Sequence, residues 1–167
     1  LTADCPLIDP ELIDQVVFGL FELEVDFSAT RLPPPFHRTF PIGLDVEAVF
    51  FEGLEQAWLD ATTKYQREHV MPFFYEDEES FDISILQSEE DFGAYRWTVD
   101  TIEDLDVVKR LAASFGGNRD FDWLDVLEVY EANPEWQEIN VDVNHKTYFD
   151  VDDRQNDTDE NQENSAA

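Results

Sequence analysis

At 167 residues and 43% hydrophobic, the chain is long enough to bury a single core, so one domain is expected. Its 40 acidic residues against 10 basic ones give a formal net charge of −30, which excludes nucleic acid as a partner because phosphate binding needs clustered Lys and Arg. The 14 Phe and 4 Trp exclude general disorder, and the lone Cys5 excludes an internal disulfide framework or a multi-cysteine zinc site. No apolar run reaches bilayer length, so no membrane partner is expected and a cytoplasmic location is the default. The acids are spread along the whole chain and Lys is scarcer than Arg, the mark of a strongly solvated surface of the salt-adapted kind.

In chain order, Leu1–Asp9 reads as the end of a buried strand running into a turn, with Asp4 at its finish and Pro6 stopping the ladder. Asp9 caps a helix whose first turn holds Pro10, with Leu12, Ile13, Val16, Val17, Leu20 and Phe21 as its apolar face. Val25–Thr30 reads as a strand. Arg31–Pro41 is a proline-rich, locally basic loop, suited either to an anion such as a phosphate or sugar carboxylate or to charge balance at a subunit contact. Residues Leu44–Val49 alternate with a period of two, placing Asp45 and Glu47 on one face. Glu52–Thr62 is an amphipathic helix through Leu54, Ala57, Trp58 and Ala61, and Tyr65–Tyr75 a second helix kinked near Pro72. Phe81–Leu86 is a strand.

Tyr95–Val99 is β-prone and ends on Asp100; Thr101 then caps a helix with Asp104 three residues on, and Leu105, Val108, Leu111 and Ala112 follow at helical spacing. Asp122 caps a last helix, Trp123–Ala132, stopped by Asn133-Pro134. From residue 141 to 167 the hydrophobic pattern fades into an acidic, disordered tail. Its DVDDRQNDTDE run lacks the glycine of a calcium loop, Gln155 standing there. Strands alternating with helices point to an α/β layered sheet.

No nucleophile elbow, Walker loop or dinucleotide fingerprint is present. Two carboxylates, Asp4 and Asp100, stand at strand ends, where open α/β sheets place ligand chemistry. Two such acids suit Mg2+, which takes few carboxylates and completes its shell with phosphate oxygens and water. Spacing alone leaves open that they are unrelated turn acids.

The blocks TADCPLIDPELID, PIGLDVEAVFFEGLEQAW, REHVMPFFY, YRWTVDTIEDLDVVKRL and FDWLDVLEVYEANPEWQEIN stand here in an order that resembles the cytidylyltransferases of the spore coat polysaccharide biosynthesis protein F type, similar to CMP-KDO and acylneuraminate cytidylyltransferases. The resemblance covers about residues 1–140. It implies a GT-A-like nucleotide-diphospho-sugar transferase fold, three-layered with a mixed sheet and present in part. It also implies transfer of CMP from CTP to a sugar or sugar acid with release of pyrophosphate, and it makes Asp4 and Asp100 the magnesium carboxylates. Asp45, Glu47, Arg67, Glu68 and His69 resemble acceptor-side residues, and Arg96 is placed to meet an anionic group.

Ile102 stands where the family usually has Pro. The family's amino-terminal segment, with its first strand and basic glycine-containing loop, has no counterpart in these residues, so the expectation is that the chain as given lacks transferase activity. A homodimer is expected, with the proline loop at the contact. Two other readings compete: a non-catalytic chain that binds a sugar or pairs with a full-length enzyme, and a glycosyltransferase using a preformed sugar nucleotide.

Overall fold

The computed structural model describes residues 1–33, 36–76 and 80–143. In order they form α1 (Pro10–Glu22), β1 (Phe27–Ala29), β2 (Glu47–Val49), α2 (Phe51–Asp60), α3 (Lys64–His69), α4 (Pro72–Tyr75), β3 (Ile83–Ile85), α5 (Ile102–Ser114), α6 (Trp123–Glu131) and α7 (Pro134–Gln137). The class is α/β, as expected, and the sheet is small and mixed: β1 is central, antiparallel to β2 and parallel to β3.

Alternation along β1 separates two layers of helices. Ser28 turns toward α1, where the absence of a side chain at Gly19 lets helix and strand approach; a Cβ there would lie 3.4 Å from Ser28 Oγ. Phe27 and Ala29 turn the other way and pack with Leu32, Ala57 of α2, and Phe74 and Tyr75 of α4. A larger core joins α1, α5 and α6 through Leu12, Val16, Val107, Leu111, Val126 and Tyr130, with Leu44, Val46 and Trp97 between them.

The caps form where the side chains demand them. Asp9 accepts from the Glu11 amide, and Thr101 with Asp104 and Asp122 with Asp125 form reciprocal capping boxes.

Several expectations need correction. Leu1–Asp9 is a succession of turns rather than a buried strand, and Leu1 is exposed. Tyr95–Val99 is extended but forms only one isolated bridge, Ile42 with Arg96, because its neighbours at Ile42 and Asp4 each run alongside too briefly to build a ladder. The helix expected over Tyr65–Tyr75 breaks into α3 and α4 at Val70, whose φ of 60° lies in the left-handed region, just before the amide-free Pro72. A further short helix, α7, follows Asn133. On α1, Val17 and Phe21 face outward, on α2 Trp58 is 72% exposed, and on α5 Asp104 and Val107 are buried while Ala112 is not. Of the tail expected over residues 141–167, residues 144–167, the calcium-like run included, lie outside the described residues.

Candidate functional site

The antiparallel pairing of β1 with β2 puts Ala29 opposite Glu47, and the register continues past the strand ends. Thr30 holds it there: its amide donates to the Val46 carbonyl at 3.0 Å, its hydroxyl donates to the Leu44 carbonyl at 2.9 Å, and the same hydroxyl accepts from the Val46 amide. One residue further on, Arg31 therefore meets Asp45, with Nε 3.5 Å from Oδ1. Arg38 closes on the same carboxylate, Nη2 lying 2.9 Å from Asp45 Oδ1. Arg38 can come this close because Gly93 has no side chain: a Cβ there would fall 2.3 Å from the Arg38 carbonyl.

The result is a largely desolvated cluster of two guanidiniums and two carboxylates at the carboxyl end of β1. Burial pushes the Glu47 carboxyl up against the opposing pull of Arg31, and Asp45 adds to the rise. Burial also pulls both arginines down. At Arg31 Asp45 and Glu47 outweigh it, so the group ends above its ordinary value; at Arg38 burial and the charge of Arg31 prevail over Asp45, and the group ends below. Among the described residues, Arg38 Nη1 is buried with no hydrogen-bond partner.

Beside this cluster runs the segment that ends at Asp100. Ile42 donates to the Tyr95 carbonyl and accepts from the Trp97 amide, and Gly43, at φ 106°, passes so close that a Cβ would lie 2.6 Å from the Thr98 nitrogen. On the opposite side, the Asp4 carbonyl accepts from the Val99 amide at 2.8 Å and from the Thr98 hydroxyl at 3.0 Å. Asp4 and Asp100 therefore lie on neighbouring backbone at one rim. Cys5 connects the rim to the charged cluster: burial raises its thiol, the Thr2 hydroxyl opposes that, and the charges of Asp4 and Asp45 add to the rise.

Behind the rim lies a network that the spacing did not disclose. Asp104, 0% exposed, accepts from Arg96 Nε at 2.8 Å and Nη2 at 3.0 Å, from the Asp100 and Thr101 amides at 3.1 Å each, and from Asn140 Nδ2 at 2.9 Å. Burial alone would raise this carboxyl; the bonds from Arg96, Asn140 and the Asp100 amide outweigh it and hold the pKa at about 2. Asn140 also donates to the Arg96 carbonyl at 3.1 Å. Arg96 Nη2 reaches Asp100 Oδ2 as well, while the Asp100 side chain keeps 41% of its surface in solvent.

The structure thus brings Asp4, Asp100, Asp45 and Glu47 into one region. Arg96 is not open to a ligand's anion: it is buried, and the anions it meets are the protein's own Asp104 and Asp100. Arg67 turns to α2, its guanidinium 5.4 Å over the Trp58 ring and Nη1 donating to the Trp58 carbonyl. Glu68 is half-buried and His69 exposed at the end of α3. Arg31 and Arg38 belonged to the loop singled out for its basic character; their shared carboxylate was not foreseen. Asp104 was legible as a cap, and the same spacing concealed its second role.

No protein-family model matches the chain. The chain shares its fold with a cytidylyltransferase. That solved structure, from Leptospira borgpetersenii serovar Hardjo-bovis, matches with a TM-score of 0.74 at 34% identity over 87% of this chain and 59% of its own. An uncharacterized protein of Methanocaldococcus jannaschii is 33% identical over 153 residues, 90% of this chain and 60% of that protein. The spore coat polysaccharide biosynthesis protein SpsF of Bacillus subtilis is 27% identical over 146 residues, 81% of this chain and 55% of that protein. The chain therefore spans little more than half the length of the proteins it matches. No helix among the described residues is long and apolar enough to cross a membrane.

Proposed function

We propose that these residues supply the metal carboxylates and the acceptor pocket of a sugar nucleotidyltransferase of the cytidylyltransferase type, which transfers CMP from CTP to a sugar or sugar acid and releases pyrophosphate. The observation that carries the reading is the adjacency of Asp4 and Asp100, through the Val99 amide and the Asp4 carbonyl, in a chain that shares its fold with a cytidylyltransferase. The likeness to SpsF supports a place in the synthesis of a surface polysaccharide.

Mg2+ fits the donor set. Among the described residues no three His, Cys, Asp or Glu side chains gather closely enough to hold a metal by themselves. Two carboxylates at a solvent-facing rim match a cation that draws its other ligands from water and phosphate oxygens. Bound there by Asp4 and Asp100, the cation would offset the charge of the triphosphate.

The remaining residues act on the acceptor. Asp45 and Glu47 accept hydrogen bonds from sugar hydroxyls, and Arg31 and Arg38 hold Asp45 in register. Together they hold one hydroxyl for in-line attack on the α-phosphorus; its proton passes to water and pyrophosphate departs as the new phosphodiester forms. A protein that carries these residues should release pyrophosphate from CTP in the presence of a sugar acid. Asp4→Asn and Asp100→Asn should each lower kcat by about 10²-fold or more, several kcal/mol of transition-state stabilisation, with the melting temperature kept. Turnover unchanged in both variants would refute the assignment.

A further inference from the structure

Arg96 has an arrangement unlike that of a simple counter-ion to Asp100. One edge of its guanidinium is committed to Asp104, through Nε at 2.8 Å and Nη2 at 3.0 Å. Asn140, from beyond α7, ties down both partners, donating to the Arg96 carbonyl at 3.1 Å and to Asp104 Oδ1 at 2.9 Å. The same Asp104 carboxylate accepts from the Asp100 amide at 3.1 Å. Asp100 is thus gripped twice, at its backbone by Asp104 and at its side chain by Arg96 Nη2. All three supporting side chains are buried, and a fork locked by planar bidentate pairing has little freedom left.

From this geometry we infer that Arg96, clamped by Asp104 and Asn140, is a positioning residue that sets the Asp100 carboxylate at the rim for a divalent cation. Arg96 contacts Asp100 Oδ2 and leaves the side chain partly in solvent, so it orients the ligand from behind without covering it. The inference rests on the reading of Asp100 as a metal carboxylate. It adds that the far end of the described chain, at Asn140, controls that ligand.

The test is a site-resolved titration of Mn2+ into the 167-residue chain, followed by paramagnetic broadening of the backbone amides of residues 4, 5 and 99–101. About 0.5 M KCl suppresses diffuse attraction to the many surface acids. The parent chain should show saturable broadening at the rim, and Asp100→Asn should abolish it. Arg96→Lys keeps the charge but loses the fork, and Asn140→Ala touches neither Asp100 nor the rim. Each should weaken Mn2+ binding by about 10-fold or more, with amide signals elsewhere unmoved. Should Arg96→Lys fail to fold, Asn140→Ala decides alone. Binding as tight as the parent's, or tighter, in the folded variants while Asp100→Asn weakens it would overturn the positioning role and leave the metal reading standing. Absence of rim broadening in the parent, or broadening indifferent to Asp100→Asn, would overturn the metal reading and this inference with it.

Discussion

Replacing Asp104 with Asn keeps the side chain's shape and removes its charge, so it isolates what the buried carboxylate contributes. Asp104 is fully buried and its carboxyl sits at about 2 instead of 3.8. A depression of that size corresponds to about 2 kcal/mol of stability at neutral pH. The sign follows from a depressed acid: the contribution is complete above the unfolded value near 4 and fades as pH falls toward 2. At pH 7 the variant also leaves Arg96 with a weaker partner in a buried setting, so the total loss should be about 3–5 kcal/mol. Urea unfolding of both chains from pH 7 downward reads the effect. Protonation of the many surface acids changes both chains alike and cancels in their difference. The gap should hold from pH 7 to about 4.5 and then shrink by about 2 kcal/mol on approach to pH 2. A gap that stays constant through that window would refute the account of Asp104 as a charged hub.

Three other perturbations follow from the same coordinates. Gly43→Ala puts a Cβ 2.6 Å from the Thr98 nitrogen at φ 106°, and should cost about 1–3 kcal/mol by urea unfolding while loosening the contact between Ile42 and Trp97. Glu47→Gln removes a carboxyl whose raised value makes its charged form unfavourable; the variant should match the parent at low pH and become the more stable chain as pH rises past the raised value, measured by thermal melts. At a net charge of −30, raising KCl from low to molar concentration should raise the melting temperature, and an equal concentration of uncharged sugar should not reproduce the dependence at low molarity.

The helix starts were the most legible part of the fold, because a cap is a local transaction. Asp9, Thr101 and Asp122 each stand two or three residues from the amides they satisfy, so the pattern needs no knowledge of the rest of the chain. Which face of each helix turns inward was less legible. Trp58 and Phe21 look like core residues by periodicity, yet Trp58 lies under Arg67 at the surface and Phe21 meets Phe50 edge-on outside the core. An apolar side chain in this protein is not a reliable mark of burial, since part of any surface is apolar.

The site illustrates the same division between local and distant causes. Asp45 and Glu47 were legible as one face of a strand, but their partner Arg31 comes from the end of β1, and only the antiparallel register that pairs Ala29 with Glu47 brings it opposite. Asp104 shows why a correct local reading can still be incomplete. Its cap uses Oδ2 alone, whereas its hold on Arg96 uses both oxygens, so Thr101-x-x-Asp104 announces the cap and says nothing of a guanidinium arriving from the preceding extended segment. Asn140 is more distant still, and donates from beyond α7 into the carboxylate that holds Arg96. Local pattern therefore located the acids, whereas the charges and amides that orient them arrived through pairings that only the folded chain makes, and the orientation of Asp100 is decided by residues that a search for acids alone would pass over.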